Sequence, residues 1–389
     1  MSRSQVLAGV FAAALVARLA AAAVLGGEQF RFVDESLYTA AATGLLQGQD
    51  LSVAARGSPG YPAFLAVLQL ALPSGVLALR LAQAVVAALG VPLAWLLGRR
   101  LGGDTAGLAA AIIFALDPLL VASAGLLYPE TPAALLVSAS VLVAWRAVRG
   151  DSLRFSALGG VLLGVVTLFR PVSLALGAAM LGWTVLGQEA PWRRRAAHGA
   201  LLLGTWAVVL APWLAGNVRA TGHLLPTGVA VRQSVGSETE EVGLGQGLAN
   251  AATRDPGGLA SRTLREFIHF WELTPSRLAT DDPARRARLA ERFPELSDQP
   301  VARTGLRDVV SALSFGAEVL LALLGLVVSW RRRPRETVWL VSLVMCFALG
   351  YALFFGKIRY RIPILPLIFA FAGLGAAEAL KLLRPRRLD

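Results

Sequence analysis

The chain has 389 residues, 56% of them hydrophobic and only 16% charged, against about 25% charged in an ordinary soluble domain. Its net charge of +12, carried by 37 basic residues of which 35 are arginine, would suit nucleic acid, but in a chain of mean hydropathy +0.61 it reads as the positive bias of an inner membrane face. A single cysteine, Cys346, and three separated histidines exclude an intramolecular disulfide and a cysteine-based metal site and leave no histidine cluster.

The composition is that of an all-α polytopic membrane protein. Apolar runs of the roughly 20 residues that a bilayer core requires fall near 6–25, 76–98, 105–126, 130–147, 155–170, 171–187, 198–216, 310–329, 336–355 and 362–381, about ten spans. The first run follows Arg3 and is interrupted by Arg18, so it reads as a retained signal anchor. With the N-terminus cytoplasmic, the inner segments hold seventeen basic residues and the short outer ones seven, and an even number of spans returns the C-terminus to the same side. Arginine in place of lysine and the Ala/Gly-rich usage read as a high-GC bacterial bias, which predicts a bacterial cytoplasmic (inner) membrane with both termini inside.

The organisation follows in chain order: residues 1–25 form the first span; 26–75 a first outer loop with interfacial helices near 35–48 and 61–72; 76–216 spans two to seven; 217–309 a second outer loop; and 310–389 spans eight to ten with a basic tail. The second outer loop carries twelve arginines and twelve acidic residues, the balance of a folded polar subdomain. Its PGGLASRTLREFIHFWEL stretch has the spacing of a helix lying in the headgroup region. Long outer loops place the chemistry outside.

Candidate functional residues gather at the outer ends of spans. Asp34 and Glu35 follow the first span, where charge is solvated, paired or used: Asp34 either caps a helix with Glu35 in its first turn or serves as a general base. Arg56 and Tyr61 flank a Gly/Pro turn in A-R-G-S-P-G-Y-P. Both could face a headgroup, although Tyr61 is equally an interface aromatic. Glu130, in Y-P-E-T-P, is a helix start, with Thr131 a rival cap, or a third carboxylate on the same side. Arg170 falls at a turn before Pro171 and either snorkels to water or meets a phosphate. Lys357, Arg359 and Arg361 run against the inside rule; if extended, they share one face with Tyr360 opposite and form either a lipid-phosphate clamp or a contact with anionic lipid. Asp117 and His198 read as structural residues without partners.

No P-loop, GxGxxG unit, G-x-S-x-G elbow or H-E-x-x-H is present, which removes nucleotide-driven transport, serine hydrolysis and zinc proteolysis as motif-supported readings. In order, D-E-S-L-Y, S-P-G-Y-P-A-F-L-A, Y-P-E, F-R-P, A-P-W-L-A-G-N-V-R and R-Y-R-I-P-I-L-P, spread over residues 31–366, resemble the GT-C membrane glycosyltransferases of family 39. That family includes dolichyl-phosphate-mannose–protein mannosyltransferases and aminoarabinose transferases. Where the aminoarabinose enzymes carry Lys-Pro-Pro, this sequence has Arg56-Gly57-Ser58-Pro59.

The resemblance implies an inverting transfer from a polyprenyl-phosphate sugar to a hydroxyl of a cell-envelope glycan or lipid. Asp34 would be the base, Glu35 and Tyr38 would position donor or acceptor, and the cations would steady the departing phosphate. Nucleic acid is not an expected partner. No cofactor is required; Mg or Mn would need Asp34, Glu35 and Glu130 to converge. The alternative is a flippase or transporter of a lipid-linked or amphipathic anion, for which midplane polar breaks and internal symmetry are expected. The transferase reading predicts that Asp34, Arg56, Glu130, Arg170 and the Lys357–Arg361 segment meet at one outer cavity, open sideways to lipid.

Overall fold

The computed structural model describes residues 2–49, 58–221, 252–274, 304–354 and 356–383. These residues are helical, with no strand among them. Helix α1 (Arg3–Ala21) ends in a π turn, Ala22–Gly26. Two short helices follow, α2 (Val33–Leu46) and α3 (Gly60–Ala71), within two residues of the interfacial helices expected in the first outer loop. Then come α4 (Val76–Ala88), α5 (Gly90–Leu116), α6 (Pro118–Ala124), α7 (Glu130–Arg149), α8 (Leu153–Phe169), α9 (Leu174–Leu186) and α10 (Trp192–Thr221). The described part of the second outer loop contains α11 (Pro256–Trp271), and α12 (Thr304–Arg332), α13 (Pro334–Ala352), a 3-10 segment (Ile358–Ile364) and α14 (Leu365–Leu383) complete the order.

Seven helical stretches among the described residues are long and apolar enough to cross a bilayer, and three shorter apolar ones, Gly60–Ala71, Leu153–Phe169 and Pro171–Leu186, are not. Length and composition thus do not confirm the expected count of about ten. The stretch Val76–Leu116 has 41 residues, about 60 Å if straight and twice the bilayer core. It does not run straight. Gly102 leaves the helical region and Gly103 takes φ 79°, a conformation open to glycine alone at little cost. The chain folds back there: a Cβ on Gly98 would stand 2.7 Å from the Ala106 carbonyl oxygen. The segment is thus a tight helical hairpin sealed by small residues.

The core lies between α14 and its neighbours α5 and α12, with α7, α8 and α10 packed as a second layer. Apolar packing alone does not account for the buried polar groups. Arg18, wholly buried in α1, donates to the carbonyls of Ala14 (3.2 Å), Ala115 (3.1 Å) and Phe114 (2.8 Å), which answers its cost in the span. Asp117 and His198 are structural but, contrary to expectation, not alone. Asp117 accepts from the Leu120 amide at 2.6 Å, capping α6. His198 lies 2.9 Å from Asp151 and 2.6 Å from the Ser156 hydroxyl.

Candidate active site

Four elements bring charge to one end of the bundle: the start of α2, the start of α7, the turn after α8 and the 3-10 segment before α14. Asp34, in the first turn of α2, accepts from Arg359 at 2.6 Å. The same guanidinium places its Nε 3.4 Å from Glu130 Oε1, the first residue of α7, and Glu130 is also ion-paired with Arg170. Carboxylate and guanidinium thus alternate in the order Asp34, Arg359, Glu130, Arg170. The side chain of Asp34 is 42% exposed and that of Glu130 1%, so only the first is open to an incoming molecule. Aromatic faces hold the cations: Arg359 lies 4.2 Å from the Tyr128 ring centroid and 5.2 Å from that of Tyr360, and Arg170 lies 5.4 Å from Tyr360.

Tyr360 stacks in turn on Tyr351, at 4.5 Å between centroids. The Tyr351 hydroxyl is buried and makes no hydrogen bond among the described residues, while Nη2 of Arg170 faces Glu130. Burial pushes the Tyr38 hydroxyl up to about 12 and also raises Tyr128, so both remain phenols near neutral pH and can donate without acting as bases. Among the described residues no three His, Cys, Asp or Glu side chains come together as a metal site would require. Asp34 and Glu130 share Arg359 as their counter-ion, and Glu35 does not join them.

Glu35 points inward and is fully buried. It accepts from the backbone amides of Arg31 (2.5 Å), Phe32 (3.2 Å) and Leu127 (2.8 Å) and from Arg80 Nη2 (2.9 Å). It is therefore Glu35, and not Asp34, that satisfies the open amides at the head of α2, and its contact with Leu127 ties α2 to the approach to α7. Tyr61 is likewise a core residue: its hydroxyl donates to Gln83 at 2.7 Å and its ring meets Tyr38, Phe64 and Phe169. Arg361 turns away to the Glu272 carbonyl, at 2.7 Å, and the Phe315 ring. The segment is a 3-10 helix and not extended; at three residues per turn Arg359 and Arg361 cannot share a face, and Tyr360 stands between the cations instead of opposite them. Arg170 neither snorkels nor stays solitary, being only 13% exposed and paired with Glu130. Lys357 is partly buried at the head of this segment, and Arg56 lies outside the described residues.

Three contributors carried no assigned role in the sequence. Tyr128 and Tyr351 supply aromatic and hydroxyl surface, and Arg80 holds Glu35 in place. Tyr128 stands beside Glu130 in Y-P-E, a signal that could have been used; nothing in the spacing shows that residue 80 reaches back to residue 35.

Residues 57–215 match the family model described as dolichyl-phosphate-mannose-protein mannosyltransferase, a range that includes Glu130 and Arg170 but neither Asp34 nor Arg359. Among solved structures, ArnT from Cupriavidus metallidurans, bound to undecaprenyl phosphate, aligns at a TM-score of 0.60 and 15% identity over 97% of this chain and 60% of its own. The chain has the GT-C fold. The archaeal oligosaccharyltransferase AglB from Archaeoglobus fulgidus, in complex with an inhibitory peptide and a dolichol-phosphate, aligns at 0.53 and 13% over 98% of this GT-C chain and 52% of its own. The apo form of the A. fulgidus enzyme gives 0.53 and 12% over 97% and 51%. This GT-C chain therefore spans about half the length of the archaeal transferases. No curated protein matches it.

Proposed function

We propose that this GT-C membrane protein is an inverting glycosyltransferase that moves a sugar from a polyprenyl-phosphate donor to an acceptor hydroxyl at the outer face of the cytoplasmic membrane. The observation that carries the reading is the exposed Asp34 carboxylate set 2.6 Å from Arg359 at the head of a row in which Arg359 and Arg170, both partly buried, flank Glu130. The polyprenyl phosphates in the ArnT and AglB structures supply the carrier by likeness; the sugar and the acceptor are left open. The charge bias of the loops supports an outward-facing site with both termini inside.

In the proposed reaction Asp34 takes the proton of the acceptor hydroxyl as its oxygen attacks the anomeric carbon. The bond from that carbon to the phosphate oxygen breaks on the opposite face, inverting the centre, and polyprenyl phosphate leaves with the electron pair. Arg359 and Arg170 face the growing phosphate charge, their guanidiniums already aligned by Glu130 and Tyr360. An arriving donor phosphate competes with Asp34 for Arg359, so donor binding would release the base for the acceptor. Glu35 and Arg80 belong to the frame that positions Asp34. No step needs a nucleotide or a metal ion.

The test is turnover of short-chain polyprenyl-phosphate mannose, glucose, arabinose and galactosamine by purified protein, each with crude envelope glycan. Acceptor-dependent release of polyprenyl phosphate from at least one donor is expected. Tight donor binding without release from any of them would turn the account towards a flippase.

A further inference from the structure

The end of the bundle opposite Asp34 has its own concave surface. Helix α7 runs from Glu130 at the candidate site to Arg149, and its 20 residues span about 30 Å, the thickness of a bilayer core. Around Arg149 two adjoining cavities of about 630 and 530 Å³ share Arg149 and Arg333, sizes within the roughly 300–1,000 Å³ of small-ligand sites. They lie between the Gly102–Gly103 turn, the end of α7 and the turn joining α12 to α13. Their charged lining is Arg99, Arg100, Arg149, Arg332, Arg333 and Arg335 against one carboxylate, Glu336.

Loop bias alone would scatter arginines over this face with their own counter-ions. Here the counter-ions run short. Arg99, Arg332 and Arg335 reach carboxylates outside the cavities, Asp104, Glu378 and Glu189, but Asp104 is shared with Arg3 and Glu378 with Lys381. Glu336 serves both Arg149 and Arg333, the latter at 3.9 Å, and Arg100 has no carboxylate partner among the described residues. The first turn of α13 opens on the same space, with Arg333 as its cap and Pro334 at its first position, and adds the positive end of a 19-residue helix. From the membrane side, Leu320, Leu323, Val327 and Trp330 of α12 are all more than half exposed. At three- and four-residue spacing they form one stripe, which ends at Arg332 and Arg333.

We propose that these cavities hold the phosphodiester headgroup of an anionic phospholipid, with its acyl chains along the exposed stripe of α12. The arginines stand at headgroup depth, because Arg149 and Arg332 end membrane-spanning stretches and Pro334 begins one. An apolar stripe leading into a cationic cavity fits an amphiphile with a negative head, and basic pockets between membrane helices take such headgroups. A free phosphate would have no use for the stripe.

The experiment uses the full chain, stripped of native lipid in neutral detergent. Thermal unfolding and intact-complex mass spectrometry are followed while dioctanoyl-phosphatidylglycerol, dioctanoyl-phosphatidylcholine or inorganic phosphate is added. The phosphatidylglycerol should raise Tm and appear as a bound adduct where the other two do not. The paired variant Arg100→Gln, Arg333→Gln should require roughly thirtyfold more of it, the pair Arg100→Lys, Arg333→Lys should keep the response, and Arg193→Gln, outside the cavities, should behave as wild type. If the glutamine pair does not fold, the single Arg100→Gln variant should show a weaker shift in the same direction. An equal response to phosphatidylcholine would overturn the proposal. So would a shift reproduced by phosphate alone, an unchanged affinity in the glutamine variants, or an equal loss in Arg193→Gln.

Discussion

Glu130 and Asp34 both reach Arg359, but they differ in what their removal leaves behind. Glu130 is enclosed and faces two guanidiniums, Arg170 and Arg359. Glu130→Gln strips a buried cluster of its charge balance and should cost about 3–5 kcal/mol, read as a large fall in Tm in detergent. Asp34 is 42% exposed, and its pair with Arg359 is partly screened, so Asp34→Asn should cost under about 1 kcal/mol. The opposite order would assign Asp34 to the frame and Glu130 to the surface. Neighbouring Glu35 belongs with Glu130: Glu35→Gln removes the charge facing the fully buried Arg80 and should be as damaging as Glu130→Gln, by the same measurement.

Short turns at the opposite end fix how the spans pack. In the turn between α7 and α8, hydrogen bonds from His198 and Arg194 hold the Asp151 carboxyl below its ordinary value, which is about 3.9. Because the folded state binds this proton less readily than the unfolded chain, the stabilisation is complete above that value and is lost as pH falls through the depressed one. Asp151→Asn should therefore lower Tm at neutral pH, and the difference from wild type should close well below the ordinary aspartate value; a constant gap at every pH would remove the carboxylate from the account. At this scale the sequence was legible wherever period and composition decide the matter. α2 and α3 fall within two residues of the expected interfacial helices, and the expected break between the runs at 76–98 and 105–126 is the Gly102–Gly103 turn. It was not legible where one backbone form replaces another of similar length. Ile358–Ile364 is a 3-10 helix and not a strand-like stretch, which is why Arg359 arrives at the site and Arg361 does not. Nor does spacing show which of two adjacent carboxylates turns inward, the difference between Asp34 and Glu35.

Across the whole molecule, hydropathy located the helical bundle, while charge located its two ends. Asp34, Glu130, Arg170 and Arg359, drawn from positions 34 to 359, converge because α2, α7, α8 and the 3-10 segment all present a terminus at one end. That convergence depends on tertiary packing such as the contact of Glu35 with Leu127, which no local pattern encodes. Orientation is a separate claim with its own test. In a Cys346→Ser background, a membrane-impermeant maleimide should label Ser74→Cys in intact cells and Gly150→Cys only after lysis; the reverse pattern would invert the proposed topology. Glycosyl transfer itself is most directly tested by Asp34→Asn, with donor binding and transfer measured on the same preparation. The account predicts that transfer falls by about 10²–10⁴-fold while affinity for the polyprenyl-phosphate sugar is retained. Unchanged transfer, or loss of donor binding with transfer, would contradict the assignment of Asp34 as the base.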